Sequence, residues 1–325
     1  MSNGTTSWSK KNRSEMKYRV VHKTEYRYGM TVSQCHNLAH LRPRNLSAQQ
    51  CLGHRLQIDP LPIDLAEHID YFGNHVSYFS IQQPHKTLTV TAISEVELEP
   101  GNNQLALEGD MPWDEVRRQL GAPVTDAARE NRQFVLDSPL ASATPDLHDY
   151  AATSFPASRP LLEAVRDLME RVHHEFTYDP AFSTVSTPLA EVLSNRRGVC
   201  QDFAHLAIAC LRSHGLAARY VSGYLETLPP PGQPKQAGAD ESHAWFSVYL
   251  PEVGWHDFDP TNNKVPLDQH ITTAWGRDYA DVTPLKGVIF GGDPGHHPQV
   301  SVDMERLPEA ATTQTQIQSQ IQTGD

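Results

Sequence analysis

Residues 198–215 read GVCQDFAHLAIACLRSHG, and the fold can be built outward from them. Gly198 permits a tight turn, and a helix is predicted from about Cys200 to His214. Its apolar positions are Phe203, Leu206, Ala207, Cys210 and Leu211, at helical spacing, and Gly215 supplies the stop. A thiol in the first turn of a helix faces the positive end of the macrodipole, which favours a thiolate. The N–H groups of that turn lack helical partners and can take a developing oxyanion. The plain alternative is a small buried apolar cysteine, the reading kept for Cys210.

Around this helix the pattern has two halves. Upstream, Pro160 opens a helix carrying Leu161, Leu162, Val165, Leu168, Met169 and Val172, with Ser158 just before it. A short helix from Thr187-Pro188 carries Leu189, Val192 and Leu193. Downstream, strands are predicted at 217–226 (AARYVSGYLE), 243–250 (HAWFSVYL) and 255–259 (WHDFD), with PEVG turning between the last two. Helices followed by an antiparallel sheet give an α+β core over 156–290. Residues 17–100 alternate with period two: Val20, His22, Thr24, Tyr26 and Tyr28; then Leu52, Leu56 and Ile58; then Leu88, Val90, Ala92, Val96 and Leu98. With a hairpin at Gly73-Asn74, they predict a small antiparallel β-sandwich ahead of the core. Residues 101–155 read as a connector with two helices, the second capped by Thr125, and SPLASATPD as loop. Residues 1–16 read as a disordered extension and 291–325 as a mostly disordered tail.

Composition narrows the function. Lys+Arg 27 against Asp+Glu 39 gives −12, which repels phosphate backbones; no nucleic-acid partner is expected. No apolar run approaches the ~20 residues of a membrane helix, and no membrane partner is expected. Recurrent aromatic and β-branched residues exclude disorder of the whole chain. Cys35, Cys51, Cys200 and Cys210 are too few and too scattered for a disulfide scaffold. With no apolar leader in the first 20 residues, a cytoplasmic location is expected.

Two further residues bear on Cys200. His243 opens a strand after a Pro/Gly-rich loop, where a base can be both held and reached. Asp259 ends the next strand, where an acid can fix an imidazole tautomer. A simple hairpin places Asp259 near Trp245 or Phe246, a diagonal of roughly 7–8 Å from His243 between Cα atoms. Asp257 is the alternative acid. Gln201 and Asp202 serve either as first-turn capping groups or as substrate contacts. Trp245 and Tyr224 are either core or cleft, and Tyr178, in FTYDP, is a candidate hydroxyl donor. His205 reads as structural. His173-His174-Glu175 and His296-His297 lack the spacing of metal ligands.

The segments GVCQDFAH, ARYVSGYLET, SHAW and GWHDFDPTN, in this order, resemble the core motifs of bacterial transglutaminase-like proteins. Residues 17–100 resemble the N-terminal domain that accompanies that core. The resemblance implies a transglutaminase/papain-like core with Cys200 as nucleophile, His243 as base and Asp259 as orienting acid. It also implies acyl transfer through a thioester, on a peptide, protein or small amide, with no metal or organic cofactor. Asp257 does not fall at the family position. Three outcomes share the scaffold: hydrolysis, crosslinking of Gln to Lys side chains, and a non-catalytic binding protein. Arylamine acetyl transfer is disfavoured, because no Arg-Gly-Gly leads into Cys200.

Overall fold

The computed structural model describes residues 16–99, 110–228, 238, 240–292 and 298–308. The expectations for 1–15, for GNNQ at 101–104, for most of the 228–242 loop, for His296-His297 and for 309–325 lie outside the described residues.

In chain order the elements are β1 (Met16–Ala39), β2 (Gln49–Asp59), β3 (Asp64–Ile69), β4 (His75–Ile81) and β5 (His85–Leu98). Next come α1 (Trp113–Gly121), α2 (Asp126–Asn131), a 3-10 turn (Arg132–Val135), α3 (Pro145–Ala152), α4 (Leu161–Glu175) and β6 (Thr177–Tyr178). Then follow α5 (Leu189–Asn195), β7 (Arg197–Gly198), α6 (Cys200–Ser213), β8 (Ala218–Leu225), β9 (Glu241–Leu250) and β10 (Gly254–Phe258). The last are β11 (His270–Gly276), α7 (Tyr279–Val282), β12 (Leu285–Gly291) and β13 (Gln299–Leu307). The α+β reading holds.

The N-terminal β-sandwich expectation resolves into one antiparallel sheet, ordered β2-β5-β1-β4-β3, with β12 and β13 also paired to β1. Strand β1 is its spine. The first half of β1 lies between β5 and β13; after a register shift between Arg27 and Val32, its second half lies between β4 and β12. The period-two residues face inward as read: Val20, Leu88, Val90, Ala92, Val96 and Leu98 are all buried. Leu52 departs from its expected face and is exposed, because a register shift between Cys51 and Gly53 breaks the alternation.

Two boundaries move. The core is expected to end at 290, yet residues 285–291 form β12 in the N-terminal sheet. Within 291–325, expected to be mostly disordered, residues 299–307 form β13. The reason is visible in QVSVDMERL: Val302 and Met304 sit at period two and are buried with Tyr18, Val20, Val96, Leu98, Tyr224 and Ile271. The chain therefore returns to cover the sheet with which it began. Two helices and one strand of the core sheet are absent from the sequence reading: α3, the four-residue α7 and β11. α3 starts inside SPLASATPD, where Thr144 accepts from Leu147 N and Pro145 takes the first turn. Thr125 caps α2 as expected. Ser158, at φ 61°, does not cap α4; Asp110 does so from outside, accepting from Leu162 N at 3.1 Å.

The core sheet runs β10-β9-β8-β11. One face, with Ala244, Phe246 and Val248, packs on α6; the other, with Arg219, Trp245 and Asp257, looks toward Gln49 and Leu98 of the N-terminal sheet. Helix α6 is buried all round, from Asp202 to Arg212. Arg212 is the price of that position, and five acceptors meet its guanidinium: the carbonyls of Phe134, Ala141, Ala218 and Arg277, and Ser138 Oγ. Because β13 completes the seam between the two sheets, Met304→Ala should cost ~2–4 kcal/mol in equilibrium urea unfolding, while exposed Glu305→Ala should stay within ~0.5 kcal/mol. Equal effects would show that β13 is not part of the cooperative fold.

Candidate active site

Cys200 is the first residue of α6, and its entry is fixed by a buried acid. Asp202 Oδ2 accepts from Val199 N at 2.8 Å and from Ser183 Oγ, which ties the residue before the helix to its third position. Burial raises the Asp202 carboxyl, against those two bonds. Gly198 is required by close approach, since a Cβ there would lie 2.9 Å from both Asp202 Cβ and Oδ2. Of the two readings of Asp202, capping is what the geometry contains. The partly buried Cys200 sulfur stands at the positive end of α6, beside first-turn N–H groups with no helical acceptor.

The second half of the site comes from the β9–β10 hairpin. Phe246 pairs with Phe258, so Asp259 falls opposite Trp245, two residues from His243. The side chains close that diagonal: His243 Nε2 lies 2.9 Å from Asp259 Oδ2. Asp259 is fully buried and held by a turn in which its own N–H and C=O exchange bonds with Lys264 at 2.8 and 3.1 Å. Its Oδ1 accepts from the N–H groups of Thr261 and Asn262 at 3.0 and 3.3 Å; its Oδ2 also accepts from Asn262 Nδ2 at 2.8 Å. A second imidazole shares that oxygen, with His270 Nε2 at 3.0 Å. Burial alone would raise the Asp259 carboxyl, but the two imidazoles hold it well below the usual carboxylate range.

For His243, burial opposes the charged ring, and the bonds to Asp259 and Cys200 outweigh it, so its basicity is raised. Since Nε2 is taken by Asp259, Nδ1 is the nitrogen left to face the sulfur. Asp257 points elsewhere, accepting from Ser247 Oγ. The geometry thus joins Cys200, His243 and Asp259, and it adds His270 and Asn262, which sequence reasoning missed. Asn262 carried a signal, an amide three residues after the acid in a Pro-containing turn. His270 had none, because it arrives across the sheet from β11.

A cavity of about 370 Å³ opens over the sulfur, lined by Cys200, Gln201, Tyr178, Tyr220, His243 and Tyr279, and walled by His22, Thr24 and Tyr26 of β1. Gln201 and Tyr178 therefore lie where expected. Trp245 does not reach this cavity: it is fully buried on the same face of β9 as His243, with the rings 6.1 Å apart. Tyr224 is core. His205 is structural as read, accepting from Tyr279 N at 3.1 Å, and burial pushes it down to about 4. His243, Asp259 and His270 bring three donor atoms within 4.8 Å. The 2.9 and 3.0 Å separations are hydrogen bonds from two imidazoles to one carboxylate oxygen.

The coupling predicts a pH signature. A group with raised basicity in the folded state contributes stability that is full below its ordinary value of 6.5 and is lost as pH rises through about 10. The stability advantage of wild type over His243→Gln in urea should therefore shrink from pH 6.5 to 10. An advantage that is constant or growing over that window contradicts the ion pair.

Residues 18–97 match the bacterial transglutaminase-like N-terminal region, and residues 149–260 match the transglutaminase-like superfamily. An uncharacterized protein of Mycobacterium tuberculosis is 45% identical over 294 residues, covering 89% of this chain and 92% of that protein. One of Mycobacterium leprae is 33% identical over 89% and 98%. A Pseudomonas aeruginosa protein-glutamine gamma-glutamyltransferase is 30% identical over 40% of this chain and 21% of its own length. Among solved structures, the "Putative Cysteine Protease from Cytophaga hutchinsonii" superposes with a TM-score of 0.71 at 22% identity, covering 92% and 93% of the two chains, and so shares the fold. No helix among the described residues is long and apolar enough to cross a membrane. Matched in order by both family models, and aligned nearly end to end with its mycobacterial relatives, the chain belongs to the transglutaminase-like superfamily, with the bacterial N-terminal region ahead of its core.

Proposed function

We propose that the protein is a cysteine-dependent acyl-transfer enzyme that hydrolyses peptide or amide bonds. The observation that carries this reading is the His243 ring, held by Asp259 on one side and meeting Cys200 at a helix N-terminus on the other, beneath an open cavity. The Cys200 thiolate attacks the carbonyl carbon, and the carbonyl electron pair moves to an oxygen received by first-turn N–H groups of α6. His243, as imidazolium, gives its Nδ1 proton to the leaving nitrogen as the C–N bond breaks. A thioester remains on Cys200. Water, losing a proton to His243, adds to the thioester and restores the thiolate, releasing a carboxylic acid. Asp259 orients the ring throughout and stabilises its charged form. The four unpaired cysteines are compatible with the cytoplasmic location expected from the sequence.

The second reading, transfer of a glutaminyl acyl group to an amine, is favoured by the gamma-glutamyltransferase relative. It differs only in what attacks the thioester. Incubation with a peptide library, followed by mass spectrometry of the intact protein, should show an acyl adduct on wild type and none on Cys200→Ala. Products formed with and without added primary amine separate water from amine as acceptor. Asp259→Asn should lower kcat on the order of 10³-fold while leaving an adduct detectable at long times. Absence of any Cys200 adduct would leave the non-catalytic reading.

Iodoacetamide should reach Cys200 first. Cys35 and Cys210 are buried, and burial pushes the half-exposed Cys51 thiol up. His243→Ala should bring the Cys200 rate down to that of Cys51. Equal rates in the wild type would count against an activated sulfur.

A further inference from the structure

Among the described residues, no Asp, Glu, Lys or Arg lines the cavity over Cys200, in a chain of which 20% is charged. Strand β1 shows how charge is kept out. Its side chains alternate between the two faces of the sheet. His22, Thr24 and Tyr26 line the cavity. Lys23, Glu25 and Arg27 take the other face, where Glu25 meets Lys23 Nζ at 3.0 Å and Arg27 Nε at 2.7 Å. The polar groups on the cavity side are held by one another and by rings. His22 Nε2 lies 3.0 Å from Thr24 Oγ1, and the His22 ring stands edge-on to Tyr224 at 5.6 Å. Tyr26 stacks on Tyr28, with ring centres 6.1 Å apart and planes 7° from parallel. Burial lowers His22 to about 4 and raises the Tyr26 phenol, so both are uncharged at neutral pH. The mouth is apolar as well. Tyr178 is 44% exposed and Val300 51%, and partly buried Leu285 adds to the same lining. Exposed apolar groups around a concave site, beside a reactive sulfur, are what a bound apolar group covers.

The geometry points to an acyl donor whose reacting carbonyl carries an uncharged, apolar side chain, with Thr24, Tyr26, Leu285 and Val300 as the residues that select it. These four come from β1, β12 and β13, so the N-terminal sheet sets the specificity of a thiol carried by the core. A charged side chain entering the cavity loses its water. It finds no counter-charge there except the Cys200–His243 pair, whose own charges offset each other. An apolar side chain leaves water for the surfaces of Tyr26, Leu285 and Val300, which is favourable. The donor's reaction rests on the proposed acyl transfer; its binding does not.

Two measurements on the full chain test this, at ionic strength fixed by sodium chloride. The first is protection. Alkylation of Cys200 and Cys51 by iodoacetamide is followed by mass spectrometry with the N-acetyl amides of leucine, phenylalanine, glutamate or arginine present. At about 20 mM, millimolar binding of the leucine and phenylalanine amides should slow Cys200 about twofold or more, and the glutamate and arginine amides should not slow it. Cys51 does not line the cavity and should keep its rate throughout. Tyr26→Glu and Val300→Glu, each checked for folding by its melting temperature, should make the arginine amide protect and weaken the two apolar amides. Glu25→Gln, on the opposite face of β1, should keep the wild-type order. Protection by a charged amide as strong as by leucine, no protection by any amide, or an order that neither wall variant moves overturns the inference. The second measurement is single-turnover acylation by the p-nitrophenyl esters of N-acetyl leucine and N-acetyl glutamate. Cys200 expels p-nitrophenolate and keeps the acyl group as a thioester. The leucine ester should react about tenfold faster or more, and equal rates overturn the selection. Protection without acylation by either ester overturns the acyl-transfer reading and the donor with it, but not the preference of the cavity for neutral apolar groups.

Discussion

A single carboxylate oxygen organises this molecule. Asp259 Oδ2 is buried and meets three side-chain donors, from His243, His270 and Asn262, while Oδ1 meets two backbone donors. An isolated charge at that depth would be prohibitively unfavourable, and removing any one donor exposes part of that cost. The donors come from β9, from β11 and from the turn after β10. The hydrogen-bond requirement of one acid thus fixes the relative placement of three segments of the core sheet. His243 inherits its orientation from this arrangement, which leaves Nδ1 as the nitrogen facing Cys200.

The sulfur is placed with equal rigidity from the other side. Helix α6 is buried around its whole circumference, so it cannot rotate without opening the core. Its N-terminus is tied by Asp202 to Val199 and Ser183, and near its C-terminus Arg212 engages five acceptors spread from residue 134 to residue 277. Gly198 allows the carboxylate of Asp202 to fold back against the entering chain. A helix dipole stabilises an anion only within its first turn, so the position of Cys200 matters to within a residue.

What the sequence made legible was local. Cys200 at a helix start, Gly215 at its stop, and His243 and Asp259 at the ends of facing strands all follow from periodicity, glycine and the PEVG turn. The family resemblance then singled out Asp259 over Asp257, and the register agrees. What stayed hidden was non-local. His270 carries no motif and meets Asp259 only because β11 adds to β8 at the sheet edge. Strand β13 was concealed by its polar composition, since Val302 and Met304 are the two residues of QVSVDMERL that the fold buries. Helix α3 was legible in Thr144-Pro145-Asp146 and was hidden by the serine- and alanine-rich run before it.

The N-terminal sheet is more than an appended module. Its spine β1 is bracketed by strands from both halves of the chain, so the complete sheet requires β12 and β13 as well as β4 and β5. Gln49 substitutes for an edge strand, its side-chain amide giving and receiving hydrogen bonds at 2.8 Å with the carbonyl and N–H of Thr272 in β11, two residues from His270. Asn74 does the same for Trp275. From the same sheet, His22, Thr24 and Tyr26 form a wall of the cavity over Cys200. Burial pushes His22 down to about 4, so it presents a neutral ring at ordinary pH. The sheet therefore sets two properties of the site at once: it clamps the strand that carries the second imidazole, and it gives the cleft an uncharged, largely aromatic side. A change in the docking of β1 would alter both together, which is the physical sense in which the N-terminal region and the core form one functional unit.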